Sequence, residues 1–358
     1  MENDPYPGWQ PAIDHILEGG GRVLVIGGVD TGKTTFCVQL VNAAVDRGMS
    51  IAVVDADIGQ SEIGPPGCVG WGVPDASVRS LSDISTSGLV FVGATAPRGN
   101  LLELATAVRR AVDAAAVSAP RVALVDTTGF IHGAGARRLK HAKLALLVPR
   151  HVVLLQRKDE CESLVNVLRY RDDIEIHRLA VPEVITRKSS AFRAQRRTSR
   201  FARYFETAEL RFFPFENVVF TGTWLNNGPP VAPHLLRFIA NSLRLRAWHA
   251  EERDRHLGIV TNAMPSDDSG LASIQEQFRT QAITVTPAAN LRHLLVGLAD
   301  HDDRLLGLGL VEAIEFRKRE LGVLTPIRAH AAVRIIHFGL LRVDASGREL
   351  GTVRIGDI

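Results

Sequence analysis

One nine-residue stretch, GGVDTGKTT at positions 27–35, constrains this chain more than any other. Read from Gly27 it fits G-x-x-x-x-G-K-[ST], the loop that cradles the phosphates of a nucleoside triphosphate. A polyphosphate is well solvated, so a protein that holds it must replace water with many donors. Successive backbone N–H groups of a Gly-rich turn, followed by a helix N-terminus, do this. Side chains would block the approach, which accounts for Gly27, Gly28 and Gly32. Lys33 is expected to reach the β- and γ-phosphates and the Thr34 hydroxyl to ligate Mg²⁺. Gly27, Gly28, Val29, Asp30, Thr31, Gly32, Lys33, Thr34 and Thr35 are therefore the expected nucleotide contacts, with ATP (or another nucleoside triphosphate) and Mg²⁺ as cofactors.

Such a loop needs a strand before it and a helix after it. RVLVI at 22–26 reads as a buried strand, and residues 34–45 read as a helix stopped by Gly48. Further apolar runs at 50–54, 89–92, 121–125 and 151–155 read as strands, with an Ala-rich helix at 101–117. Apolar strands alternating with helices predict an α/β fold with a parallel P-loop-type sheet flanked by helices. Ligands then bind beyond the carboxyl ends of the strands, where polar motifs follow the first four runs. After residue 205 the pattern shifts to short apolar and β-branched runs separated by turns, such as AITVTP and AVRIIHFGLLRVD. The expected division is a P-loop domain over 1–205 and a smaller β-rich C-terminal domain over 206–358, with DASGRE at 344–349 turning a hairpin.

With 358 residues, two domains of ordinary core size are expected. The net charge of +3 excludes a globally basic field, so any nucleic-acid contact must be a local patch. Three scattered cysteines, Cys37, Cys68 and Cys161, argue against a disulfide framework and a zinc site. No apolar run is long enough to span a bilayer, and the first residues lack a signal-peptide pattern. A cytoplasmic protein without a membrane partner is the expectation.

Magnesium calls for a carboxylate at a neighbouring strand end. Asp57 in VVDADIGQ and Asp126 in ALVDTTG are the candidates. Asp57 is favoured, because Gly59 and Gln60 follow it and a glutamine can orient a water or hydroxyl. Asp55 fits either a functional role or the capping of backbone N–H groups. DTTG also mimics a GTPase switch, and QRKD at 156–159 is a degenerate echo of a guanine-reading motif, so a GTPase-like switch is one alternative. The discriminating stretch is RKSSAFRAQRRTSRFAR at 187–203, with seven basic residues and no acidic one. Arg193, Arg196, Arg197, Arg200 and Arg203 share a helix face, as expected of a phosphotransferase lid that neutralises a transferring phosphoryl group.

The order of these motifs, with GATAPRGN at 93–100 and DTTGFIHGAG at 126–135, resembles the P-loop polynucleotide 5′-hydroxyl kinases. Their eukaryotic members include the kinase subunit of the pre-mRNA cleavage factor and the nucleolar kinase of pre-rRNA processing. The resemblance covers most of residues 9–205. It implies that Lys33 and Thr34 bind triphosphate and Mg²⁺, and that Asp57 and Gln60 form the D-x-G-Q element that holds metal or activates the attacking hydroxyl. It places Thr95 near the metal and phosphates, Thr127 and Gly129 in a clasp for the nucleic-acid end, and Arg193, Arg197 and Arg200 in the lid. Many members carry Trp after the clasp glycine; Phe130 here offers a smaller stacking surface. Trp9 and Trp71 are further stacking candidates, though packing suits both, and nothing marks His132 or His141 as a base. The expected function is transfer of the γ-phosphate to the 5′-OH of RNA or DNA. The other alternative is a catalytically silent nucleotide- and RNA-binding scaffold.

Overall fold

The structure is a computed structural model that describes Tyr6, residues 8–354 and residues 356–358. The chain divides into two compact units, with the division between Arg200 and Phe201.

The first unit follows the order α1 (Trp9–Gly19), β1 (Gly21–Gly27), α2 (Lys33–Asp46), β2 (Ile51–Ala56), β3 (Cys68–Gly72), β4 (Gly88–Phe91), α3 (Leu101–Ala116), β5 (Val122–Thr127), α4 (Gly133–Leu147), β6 (His151–Gln156), α5 (Glu162–Val165) and β7 (Glu175–Ala180). Helix α6 (Ser190–Phe205) carries the arginines and crosses the division. Seven strands form one sheet in the order β4-β3-β2-β5-β1-β6-β7. All neighbours from β2 to β7 run parallel, and β3 pairs antiparallel with both β2 and β4. Two antiparallel steps return β4 to the direction of β2, so GATAP emerges at the same end as the other motifs.

Burial on both faces explains why the strands read as unbroken apolar runs. Along β1, Leu24 and Ile26 join a core with α3, α4 and α5, while Val23 and Val25 join one with α1 and α2. Trp9 is fully buried and stands edge-on to Phe36 of α2, with ring centroids 5.4 Å apart. The two strands absent from the sequence reading, β3 and β7, carry Gly70, Gly72 and half-buried polar positions that blur their apolar signal.

The second unit contains β8 (Glu209–Pro214), β9 (Val219–Thr221), α7 (Pro233–Leu243), β10 (Ala247–Arg253), β11 (His256–Thr261), α8 (Ser269–Phe278), β12 (Ala282–Pro287), α9 (Ala288–Leu291), β13 (Leu294–Ala299), β14 (Leu305–Glu315), β15 (Glu320–Thr325), β16 (Ile335–Val343) and β17 (Glu349–Thr352). One sheet runs β17-β16-β13-β14-β15-β8, with β9 added alongside β16. A second, β10-β11-β12, is covered by α7 and α8, helices the β-rich reading did not anticipate. DASGRE does turn the antiparallel β16–β17 hairpin.

Candidate active site

The phosphate loop leaves the carboxyl end of β1 and enters α2. Gly32 adopts φ +88° as the residue before the helix, a conformation that glycine reaches without strain. A Cβ on Gly27 would lie 2.6 Å from the Leu155 carbonyl oxygen, so β6 fixes a glycine there. The Thr31 hydroxyl donates to the Gly28 carbonyl at 3.0 Å. Lys33 Nζ, almost wholly buried, donates to the same carbonyl at 2.7 Å. Val29 is exposed at the tip, and Thr35 lies in the first turn of α2.

Three carboxylates crowd the neighbouring strand ends. Asp55 and Asp126 lie side by side in the β2–β5 register. Thr34 Oγ1 donates to Asp126 Oδ2 at 2.8 Å, and the buried Oδ1 of Asp126 has no partner. The carboxylate bonded to the Thr34 hydroxyl is thus Asp126, where the sequence favoured Asp57. Sheet order is the reason: β5 adjoins β1, whereas β2 lies one strand further away. Asp57 Oδ1 instead accepts the Gly59 and Gln60 amides at 3.1 and 3.0 Å. Asp55 is a loop-capping group that accepts from the Asp57, Glu62 and Ile63 amides. Burial and the charge of Asp126 push Asp55 up to about 8 against the pull of those amides. Burial raises Asp126 to about 6, opposed by Lys33 and the Thr34 hydrogen bond. An orphaned carboxylate oxygen beside a threonine hydroxyl is the donor set of a hard oxygen-loving cation, so Thr34 and Asp126 fit Mg²⁺. Thr95 is half-buried, and its carbonyl would sit 2.7 Å from a Cβ on Gly59, which places it against the Asp57 turn.

The arginine helix is docked on these loops. Arg193 Nη1 pairs with Asp30 of the phosphate loop at 3.2 Å, and its backbone carbonyl accepts from the Gln60 amide at 3.2 Å. Arg200 pairs with Glu62 at 3.0 Å, and Arg196 pairs with the same carboxylate. Arg200, expected on the phosphates, instead fastens the arginine helix to the acidic turn, because Glu62 lies five residues after Asp57 on the same loop. Arg197 is half-buried on the helix between these contacts.

The clasp residues have other work. Thr127 is fully buried; its hydroxyl donates to the Val25 carbonyl at 2.7 Å and accepts from Lys140 Nζ at 2.8 Å. It is thus not open to a nucleic-acid end, since β5 runs two residues beyond the expected strand and takes Thr127 into the sheet. A Cβ on Gly129 would approach the Val29 backbone N to 2.8 Å, so this glycine lets the phosphate loop lean on the clasp loop. Phe130 is half-buried against the α3–α4 core and near Gly135. Trp9 packs beneath Gly32 and Trp71 against Gly88, so both are packing residues. Gln156 of QRKD is buried and bonded to Glu162, which removes it from base reading.

Two functional candidates were missed. Lys140 and Lys143 of α4 are both fully buried. Lys140 Nζ also donates to the Thr128 carbonyl at 3.0 Å, and Lys143 Nζ has no partner among the described residues. Burial lowers both; Lys140 is pushed further by Lys143 and Lys33, and Lys143 falls to about 8 despite the pull of Asp57, Asp126 and Asp55. The signal was present. Ala136, Leu139, Lys140, Lys143, Leu144 and Leu147 form the inward stripe of α4, so the two lysines occupy positions where apolar residues belong.

Comparison with known proteins finds relatives along most of the chain. The family model described as the mRNA cleavage and polyadenylation factor CLP1 P-loop matches residues 27–207. A polyribonucleotide 5′-hydroxyl-kinase of Pyrococcus furiosus is 32% identical over 94% of this chain and 91% of its own length. One from Thermococcus kodakarensis is 33% identical over 93% and 91%. The polyribonucleotide 5′-hydroxyl-kinase Clp1 of Bos taurus is 29% identical over 60% of this chain and 53% of its own. Among solved structures, a Clp1p–Pcf11p complex superposes with a TM-score of 0.59 at 13% identity, covering 92% of this chain and 77% of the other, which supports the fold.

Proposed function

The chain belongs to the CLP1 P-loop family, and from that membership together with the chemistry of its site we infer that it is a polynucleotide 5′-hydroxyl kinase. The donor is a nucleoside triphosphate, ATP foremost, and the acceptor is the 5′-OH end of a polynucleotide, RNA by the names of its relatives. One observation carries the reading: the phosphate loop, the Thr34–Asp126 pair and the Asp57–Gln60 turn converge at the ends of adjacent strands, beneath an arginine helix.

The hydroxyl oxygen attacks the γ-phosphorus. A new O–P bond forms as the bond to the bridging β–γ oxygen breaks, which leaves a 5′-phosphate and a nucleoside diphosphate. Asp57, whose second oxygen accepts no hydrogen bond among the described residues, takes the proton of the hydroxyl as the transfer proceeds. Gln60 holds that turn against the lid through the Arg193 carbonyl. Lys33 exchanges the Gly28 carbonyl for the β- and γ-phosphates, and Arg193 and Arg197 neutralise charge from above. Lys143 adds a buried positive charge with no competing partner from below. Thr34 and Asp126 would hold Mg²⁺, which supplies charge neutralisation on the phosphates when bound. No membrane is involved in this scheme, and no helix among the described residues is long and apolar enough to cross one.

Transfer of labelled γ-phosphate to paired RNA and DNA 5′-OH oligonucleotides tests the reading. Transfer is expected with the intact chain and its abolition with Lys33→Ala. Tight nucleotide and RNA binding without transfer, across metals and nucleotides, would replace the kinase by a binding scaffold.

A further inference from the structure

The end of the parallel sheet opposite the phosphate loop holds a second cluster of chemically competent groups. His151 opens β6, and Glu175 and His177 sit at the start of β7. The strands are in register with His151 beside Glu175 and Val153 beside His177. Glu175 and His177, two apart, face the same side of the sheet. His15 reaches the cluster from α1. From these positions the geometry points to a Zn²⁺ site formed by His15, His151, Glu175 and His177.

His151, Glu175 and His177 hold their ligand atoms at spacings near those of a tetrahedral ion, and His15 joins them through its hydrogen bond to Glu175. His151 Nδ1 and His177 Nε2 are 3.1 Å apart, and His151 Nδ1 lies 3.8 Å from Glu175 Oε2. The three ligand atoms all lie within 4.8 Å of one another. Zn–N and Zn–O bonds of about 2.0–2.1 Å in tetrahedral arrangement place ligand atoms about 3.3–3.4 Å apart. His15 Nε2 is hydrogen-bonded to the same Glu175 oxygen, and its ring centroid is 5.6 Å from that of His177 and 6.0 Å from that of His151. Arg150 lies at 3.9 Å from the other oxygen, Oε1, which leaves Oε2 to the histidines.

The protein alone serves this cluster poorly. His151 is fully buried, and its Nε2 abuts Gly19 with no polar partner. Whichever nitrogen carries the proton, one ring nitrogen of His151 stays unpaired at a cost, and only Nδ1 faces possible ligands. A cation that takes the Nδ1 lone pair replaces the His177 contact there and fixes the proton on Nε2. Three imidazoles and one carboxylate suit Zn²⁺ and not the oxygen-seeking Mg²⁺ of the phosphate loop. The scattered cysteines argued against zinc, whereas these ligands, at positions 15, 151, 175 and 177, meet only through the fold. The bound ion would tie α1 to β6 and β7.

The test uses the full chain stripped with a chelator and titrated with zinc chloride, then separately with cobalt chloride. One equivalent of Zn²⁺ is expected to bind and to raise the melting temperature, and Co²⁺ is expected to give the intense visible bands of a tetrahedral site. His177→Ala and His15→Ala, both at partly exposed positions, should weaken Zn²⁺ binding by about 100-fold or more and abolish the Co²⁺ bands. Thr34→Ala, at the opposite end of the sheet, should change neither. Circular dichroism of each variant verifies folding. Failure to bind a stoichiometric ion, binding unchanged in the histidine variants, or loss in Thr34→Ala would overturn the assignment, whatever the result of the phosphotransfer assay.

Discussion

Replacing Lys143 with methionine is expected to stabilise the ligand-free protein and slow the enzyme. The lysine is fully buried, its ammonium has no partner, and burial drags it from 10.5 to about 8. At about 1.4 kcal/mol per pKa unit, this corresponds to a penalty of roughly 3 kcal/mol for keeping the charge inside. Methionine keeps the length of the chain and removes the charge. Below pH 8 the folded and unfolded states both hold the proton, and the penalty is complete. Between about 8 and 10.5 the folded state has released it while the unfolded state retains it, so wild-type stability climbs with pH. Above that window the penalty is gone. Urea denaturation should therefore show Lys143→Met ahead by roughly 3 kcal/mol at pH 7, with the gap closing as pH rises through the window. The same substitution should lower γ-phosphate transfer by about 10²–10³-fold, the usual effect of losing one preorganised charge donor. A variant less stable at pH 7, a gap indifferent to pH, or unchanged turnover would each refute the reasoning.

Gly129→Ala should push the clasp loop off Val29, because its Cβ has 2.8 Å to the Val29 nitrogen. Overpacking of this kind costs about 1–3 kcal/mol, so calorimetry should find nucleotide affinity reduced by about tenfold; unchanged affinity would mean the loops yield freely. Glu62→Gln removes the carboxylate shared by Arg196 and Arg200. The lid should then open more readily by about 1–2 kcal/mol, seen as faster tryptic cleavage within residues 187–203; unchanged cleavage would show that Asp30 and Gln60 suffice.

The phosphate loop, the acidic turn and the arginine helix were legible in the sequence because each depends on local spacing. The ranking of Asp57 over Asp126 was not, because it depends on which strand lies next to β1, and chain order places β2 first while the sheet places β5 there. Thr127 was misread for a smaller reason. Two more residues of strand convert a loop hydroxyl into an internal one bonded to Val25. Lys140 and Lys143 could have been found, since lysines in the apolar stripe of a helix contradict its pattern. In the second unit, α7 and α8 escaped because the turn residues around 226–233 and 265–268 dominated the local signal.

Trp9 extends the nucleotide site upstream of its motif. Its ring packs within contact of Gly32, the left-handed residue on which the phosphate loop turns into α2. The family's match begins at residue 27, and every signature residue lies downstream of it. A chain trimmed to start at β1 would keep the entire signature and lose the floor under that turn, exposing Phe36 at the same stroke. The smallest nucleotide-binding piece of this protein is therefore larger than its motif, and it begins with the indole of Trp9.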